Sequence, residues 1–171
     1  ESVVIPSEIK IAGLVYPVTS IGTNAFSYCY SLKSINIPSS VTSIGVWSFC
    51  GCGGLTSIDI PSSVTHIDIS AFDYCTELTS INVSKDNSNY SSEDGILYDK
   101  NKTTLVSIPE GKKGSVVLLS GVACIGEYAC RGCGNLTSIE IPSSVTSIEF
   151  GAFSGCSGLT SIEIPSNVTS I

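Results

Sequence analysis

Eight cysteines in a chain of 171 residues are the first side chains that could do chemistry. Cys50 and Cys52 form the triplet CGC, and Cys130 and Cys133 the quartet CRGC. Two such pairs suit a tetrahedral zinc site if the fold brings them into one coordination sphere. His66 is the single histidine, and catalysis through it would need a nucleophile and an orienting group beside it. The stretch DNSNYSSEDG (86–95) is rich in oxygen ligands but lacks the D-x-[DN]-x-[DN]-G spacing of a calcium loop, so it reads as a polar loop. Five N-x-S/T sequons, at Asn82, Asn89, Asn101, Asn135 and Asn167, matter only in a secreted eukaryotic protein.

What these residues can do depends on the elements that hold them, and those elements repeat. LKSINIPSSVTSIGVWSFCGCGG at 32–54 returns as LTSIDIPSSVTHIDISAFDYCTE at 55–77 and as LTSIEIPSSVTSIEFGAFSGCSG at 136–158. With Leu32, Leu55, Leu78, Leu136 and Leu159 as position 1, apolar residues recur at positions 4, 6, 10 and 13. Pro38, Pro61, Pro142 and Pro165 fill position 7. Positions 4 and 6 share one face of an extended strand, and proline, with no N–H to donate, ends the ladder. Positions 14–22, with Ala-Phe and Cys among Gly and Ser, predict a short helical turn. One copy cannot bury its own Ile, Val and Phe, but stacked copies cover one another. The expected fold is therefore a solenoid with a parallel sheet on one side and short helical or extended turns on the other, rising about 4.8 Å per coil. About seven coils are expected in a single domain.

Residues 1–31 hold a capping hairpin turning at Ala12-Gly13, followed by the first coil; 32–77 are regular coils. From Leu78 to Leu136 is 58 residues where two copies need 46. The excess falls in 78–112, where GILYD and TTLVSI flank KNK and predict a hairpin protruding from the coil. Regular coils resume over 113–171. The chain starts without Met and stops in mid-copy, so a longer parent protein is expected.

In this register Cys29, Cys52, Cys75, Cys133 and Cys156 all fall at position 21 and form a ladder of small buried hydrophobes. Their parallel direction disfavours disulfides. Cys50–Cys52 and Cys130–Cys133 stand more than three coils apart, too far for one zinc ion. Cys124 and His66 both fall at outward position 12, where a surface role is expected. No cofactor is implied, and no acid, base and nucleophile cluster, so an enzyme is not expected.

The phrase L-x-S-I-x-I-P-S-S-V-T-S-I-G-x-x-A-F-x-x-C resembles the BspA-like leucine-rich repeats of bacterial and some protist surface proteins. The segment Y…DGILYDKNKTTLVSIPEGKKG is also similar to one recurring there. The resemblance implies a leucine-rich-repeat solenoid in a secreted or cell-surface protein. It implies a protein partner, such as the host matrix and plasma proteins fibronectin and fibrinogen. At position 9, where ordinary leucine-rich repeats carry Asn or Cys, this chain has Ser40, Ser63 and Ser144, with Asn only at Asn167. An asparagine ladder is therefore not expected.

The net charge of −7, with only 13% charged residues and no basic cluster, excludes nucleic acid. No apolar run is long enough to insert into a membrane. The variable outward letters are at position 5: Asn36, Asp59, Asn82, Glu140 and Glu163. Stacking would align them as a polar, mildly acidic binding strip on one face. Alternatively they are only a solvated strand face, and the chain is a passive spacer that displays another domain. The row Thr42, Thr65, Thr146 and Thr169 offers a third, weaker surface, for ordered water or glycan.

Overall fold

A computed structural model describes residues 1–171. It consists of six complete coils and the start of a seventh, made of short strands and turns, with no helix. The turns that could have been helical are tight corners instead. Each is built from two left-handed residues four apart: Asn24 and Tyr28, Trp47 and Gly51, Ser70 and Tyr74, Tyr128 and Gly132, Gly151 and Gly155. Two such corners cannot be accommodated within an α-helical turn.

Two parallel ladders run along the stack. In the first, Ser2–Val4 pairs with Ser34–Asn36, Ser57–Ile60 with Ser80–Val83, and Gly114–Val117 with Leu136–Glu140. In the second, Ser20–Ile21, Ser43–Ile44 and His66–Ile67 align, as do Thr104–Ser107, Cys124–Ile125 and Ser147–Ile148. Side chains tie the same coils together. Ser63 and Ser144 donate to the Val41 and Val122 carbonyls one coil back (2.7 and 2.6 Å). Serine thus does the work of the missing asparagine ladder in these two coils, whereas the buried hydroxyl of Ser40, at the same position one coil before Ser63, has no partner. Asn87, fully buried, does that work once in the irregular coil, donating to the Pro61 and Val64 carbonyls. Phe26, Phe49 and Phe72 stack with near-parallel rings, 5.5 and 5.8 Å apart.

At the N-terminal end the hairpin forms at Ala12-Gly13, both left-handed. Its strands, Glu8–Ile11 and Leu14–Pro17, are exposed along their whole length. Ile5 and Ile21, with Val3 and Val18 packed beside them, lie in the core.

The insertion does not protrude. Tyr90–Glu93, Ile96–Asp99 and Thr104–Ser107 form an antiparallel meander, turning first at Asp94-Gly95, both left-handed. The expected hairpin around KNK is present, but Ile96, Leu97 and Tyr98 are buried. Alternation sends Leu97 into a core of 20 residues that includes Ile5 and Ile81, and sends Ile96 and Tyr98 into a second core of 16 that includes Ile139 and Ala152. The insertion is thus an internal wall, because a Ile-Leu-Tyr run has more apolar surface than a solvent-exposed hairpin could bury.

One position departs from the pattern at a cost. Ser48 occupies the slot held by Ala25, Ala71, Ala129 and Ala152; it is fully buried and its hydroxyl has no partner. Ser48→Ala is expected to raise stability by about 1 kcal/mol, because a desolvated hydroxyl is removed without leaving a void. Urea denaturation of the two proteins measures it.

Candidate functional site

The position-5 residues Asn36, Asp59, Asn82, Glu140 and Glu163 are all exposed, but they do not form one strip. The first three lie together, with the Asn82 amide donating to Asp59 at 2.9 Å. Glu140 and Glu163 line a separate depression. Between the two groups the front ladder is broken: Ile81 donates to the Gly95 carbonyl of the insertion instead of to a following coil, and Val117, exposed, takes the position beside Glu140. The threonine row is turned toward the stack: Thr42, Thr65, Thr146 and Thr169 each point their hydroxyl at a carbonyl of the preceding coil.

All eight cysteines are free thiols. Cys52, Cys75, Cys133 and Cys156 donate to the carbonyls of Phe26, Phe49, Ile108 and Cys130 (2.9–3.4 Å), so the ladder bonds coil to coil as well as filling space. Cys29, in the first coil, is exposed. Burial pushes the Cys130, Cys133 and Cys156 thiols up, away from the reactive thiolate. No three metal-ligating side chains converge anywhere in the chain. His66 is exposed and contacts Asp68 at 3.0 Å.

The built site lies elsewhere, at the fourth turn. From Ile44 to Phe49, Ile67 to Phe72 and Ile125 to Cys130 a turn takes five steps; from Leu105 to Ile108, which takes the Phe role in the hydrogen bonding, it takes three. The short turn has neither left-handed corner and recedes from the third. The Phe26 and Phe49 N–H groups reach the Ser48 and Ala71 carbonyls of the next coil, whereas the Phe72 and Ser70 N–H groups make no hydrogen bond within the chain. A cavity of about 200 Å³ opens in the seam, walled by residues that include Phe72, Leu97, Leu105 and Ile108.

Polar groups bridge its outer edge. Tyr28, Gly51 and Gly132 N–H each donate to a carbonyl of the following coil; at the seam the Tyr74 N–H donates to the Glu110 carboxylate instead, at 2.6 Å. Glu110 lies flat over Gly132, where a Cβ would come within 2.5 Å of its carboxyl carbon, so only glycine serves there. Arg131 reaches across the receded turn. It binds Asp73 at 2.8 Å and the Tyr74 hydroxyl at 3.0 Å, and its guanidinium stacks between Tyr74 and Tyr128, 5.4 and 5.0 Å from their ring centres. It thereby ties the third coil to the fifth over the fourth.

Around this latch runs a band of aromatic rings. Tyr30 contacts Tyr28 and Tyr128 contacts Phe150, at ring separations of 6.0 and 5.5 Å. Tyr28 and Tyr74 face each other across a cleft that includes Gly51 and Gly53. Tyr28, Tyr30, Tyr74 and Phe150 are each more than half exposed. Nothing in the sequence reading singled these out, because they fall at turn positions where the repeat fixes no residue type. The signal available was the missing A-F-x-x-C in TTLVSIPEGK.

The matched repeats decide the family. The BspA type leucine rich repeat region matches in six copies, over residues 6–115 and 123–171. The chain belongs to this family. Among solved structures it is similar to a leucine-rich repeat protein from Eubacterium ventriosum, with 36% identity and a TM-score of 0.79 over 91% of this chain and 41% of that one. It is similar to a leucine rich cell surface protein from Faecalibacterium prausnitzii, with 32% identity and a TM-score of 0.72 over 100% of this chain and 49% of that one. The pneumococcal vaccine antigen PcpA, at 18% identity and a TM-score of 0.70 over 98% of this chain and 61% of that one, shares the fold. The BspA-type chain thus spans less than half the length of the first two. No curated protein sequence matches it. No helix is long and apolar enough to cross a membrane.

Burial pushes the Glu110 carboxyl above its ordinary range, against the opposing pull of the Tyr74 N–H and Arg131. Below the unfolded value both states are protonated and Glu110 costs nothing; as pH rises through the folded value the buried carboxylate must ionise, and stability is lost. Glu110→Gln keeps an acceptor for Tyr74 without the charge. Its stability relative to the wild type is expected to improve between about pH 4 and about pH 7, measured by urea denaturation at each pH.

Proposed function

We propose that the chain is a non-enzymatic protein-binding module of a secreted or cell-surface protein, serving as an adhesin toward host extracellular proteins. The observation that carries this reading is the aromatic band with Arg131 at its middle. Tyr and Arg are enriched at protein interfaces and dominate their hot spots, and exposed apolar patches of this kind mark interaction surfaces. The cell-surface description of the Faecalibacterium prausnitzii relative supports the location. The strips Asn36–Asp59–Asn82 and Glu140–Glu163, on the strand face, are proposed as further polar contacts.

Binding to immobilised fibronectin and fibrinogen, by surface plasmon resonance, tests the reading. Replacing Tyr28, Tyr74 and Phe150 together by serine is expected to weaken binding by at least about 30-fold, the scale of one hot spot of 2 kcal/mol. The triple change Asp59→Ala, Glu140→Ala and Glu163→Ala is expected to cost about tenfold or less, as rim charges do. Absence of binding by the wild type to either protein would favour the spacer role.

A further inference from the structure

We propose that the seam between the third and fourth coils receives a single apolar side chain carried on an extended, basic segment of a protein partner. This rests on the protein-binding reading and assigns the site and chemistry of its anchor. Size comes first: about 200 Å³ exceeds the roughly 150 Å³ that suffices for a benzene-sized guest in an apolar cavity. A Leu or Phe side chain fits that scale. The apolar part of the wall is made by Ile67, Phe72, Leu97, Leu105 and Ile108.

A second observation specifies the backbone. The N–H groups of Ser70 and Phe72 are unpaired within the chain and two residues apart; the N–H groups of Phe26 and Phe49, equivalent to Phe72, and of Asn24 and Tyr128, equivalent to Ser70, reach carbonyls of the following coil, while that of Trp47 is unpaired as well. Carbonyls two residues apart on an incoming peptide can take both, as the Val46 and Ser48 carbonyls take the Asn24 and Phe26 N–H groups, by the main-chain pairing that peptide recognition commonly uses. The receded fourth turn leaves the edge open because it is two residues too short to fill it.

Charge decides the flanks. Asp68, Glu110 and Glu127 line the seam, and the one cation there, Arg131, is held by Asp73. Lys or Arg beside the anchor is therefore favoured, and acidic flanks are opposed.

Three capped tripeptides test this with the intact chain: acetyl-Lys-Leu-Lys-amide, acetyl-Lys-Ser-Lys-amide and acetyl-Glu-Leu-Glu-amide, titrated to about 10 mM, which reaches the weak end of measurable affinity. The readout is the ¹H–¹⁵N shift of the Ser70 and Phe72 amides together with the Leu105 and Ile108 methyl groups. Saturable shifts are expected with the first peptide, and at least about tenfold weaker ones with the other two. Ser107→Phe, which fills the seam, is expected to abolish them; if that variant fails to fold, Val106→Phe replaces it. No shift at these four residues, or equal shifts with all three peptides, overturns the proposal. Failure here with band-dependent binding to a protein partner intact removes the seam alone, whereas failure of the module reading shows as loss of that binding.

Discussion

The hydrogen bonds that pass from each coil to the next, along the stack axis, are the interaction on which this structure depends. Backbone groups must be paired once buried, and a coil whose strands are two to five residues long cannot pair them internally. Each must therefore present donors and acceptors at the same height and angle as its neighbour. Side chains follow the same direction: the Ser63 hydroxyl, the Thr65 hydroxyl and the Cys75 thiol each bond one coil back. This explains why the repeat tolerates few changes at inward positions. A substitution there disturbs a bond in the adjoining coil as well as packing in its own, so the cost is shared by nearest neighbours, as expected of a quasi-one-dimensional stack.

An insertion into such a stack must satisfy two edges. Here it satisfies the edge that follows and meets the one before only in part. The meander starts the second ladder afresh through Thr104 and Leu105, which pair with Cys124 and Ile125, whereas toward the third coil no strand pairs with His66–Ile67 and the Ile67 N–H goes to the Tyr90 hydroxyl. Its buried strand Ile96–Asp99 separates the two cores while touching both. The residues spent on this wall leave a turn too short to reach the third coil. Glu110 and Arg131 compensate from either side, one supplying an acceptor to a stranded N–H, the other clamping coils that are not neighbours. The polar latch and the cavity have the same cause: a carboxylate and a guanidinium bridge the outer edge that backbone cannot, and nothing in the chain fills the space beneath.

Most of the fold was legible because stacking forces identical residue types onto identical positions. Leu, Ile, Val and Pro recur at fixed spacing, and the ladders follow. The burial of Ile96, Leu97 and Tyr98 was not legible, since a short apolar run is compatible with either an exposed hairpin or an internal strand. Asn87 was missed because it stands one residue out of register, beside Asp86, and the meander brings it back into the ladder. The latch was hidden for a different reason. Arg131 lies 58 residues from Asp73, and no repeat pattern links them, because the pattern encodes neighbouring coils and this contact skips one.

The turns show why variation gathers where it does. Positions 16 and 20 must be left-handed in every regular turn, which limits backbone conformation but leaves side-chain size free when the ring can lie outward. Tyr28 and Tyr128 meet this by lying over the next coil's glycine: a Cβ on Gly51 or Gly151 would come within 2.6 or 2.4 Å of their rings. The rings of Tyr28 and Tyr128 thus require glycine at the equivalent corner of the next coil. Where ring and glycine follow each other in this way along the turn face, as at Tyr28, Gly51 and Tyr74, a cleft opens between aromatic walls. The front sheet has no comparable rule, because adjacent position-5 residues are held at strand spacing whatever their type. A solenoid of this kind therefore acquires shaped, aromatic recesses on its turns and flat polar rows on its strands, and the asymmetry follows from backbone geometry alone.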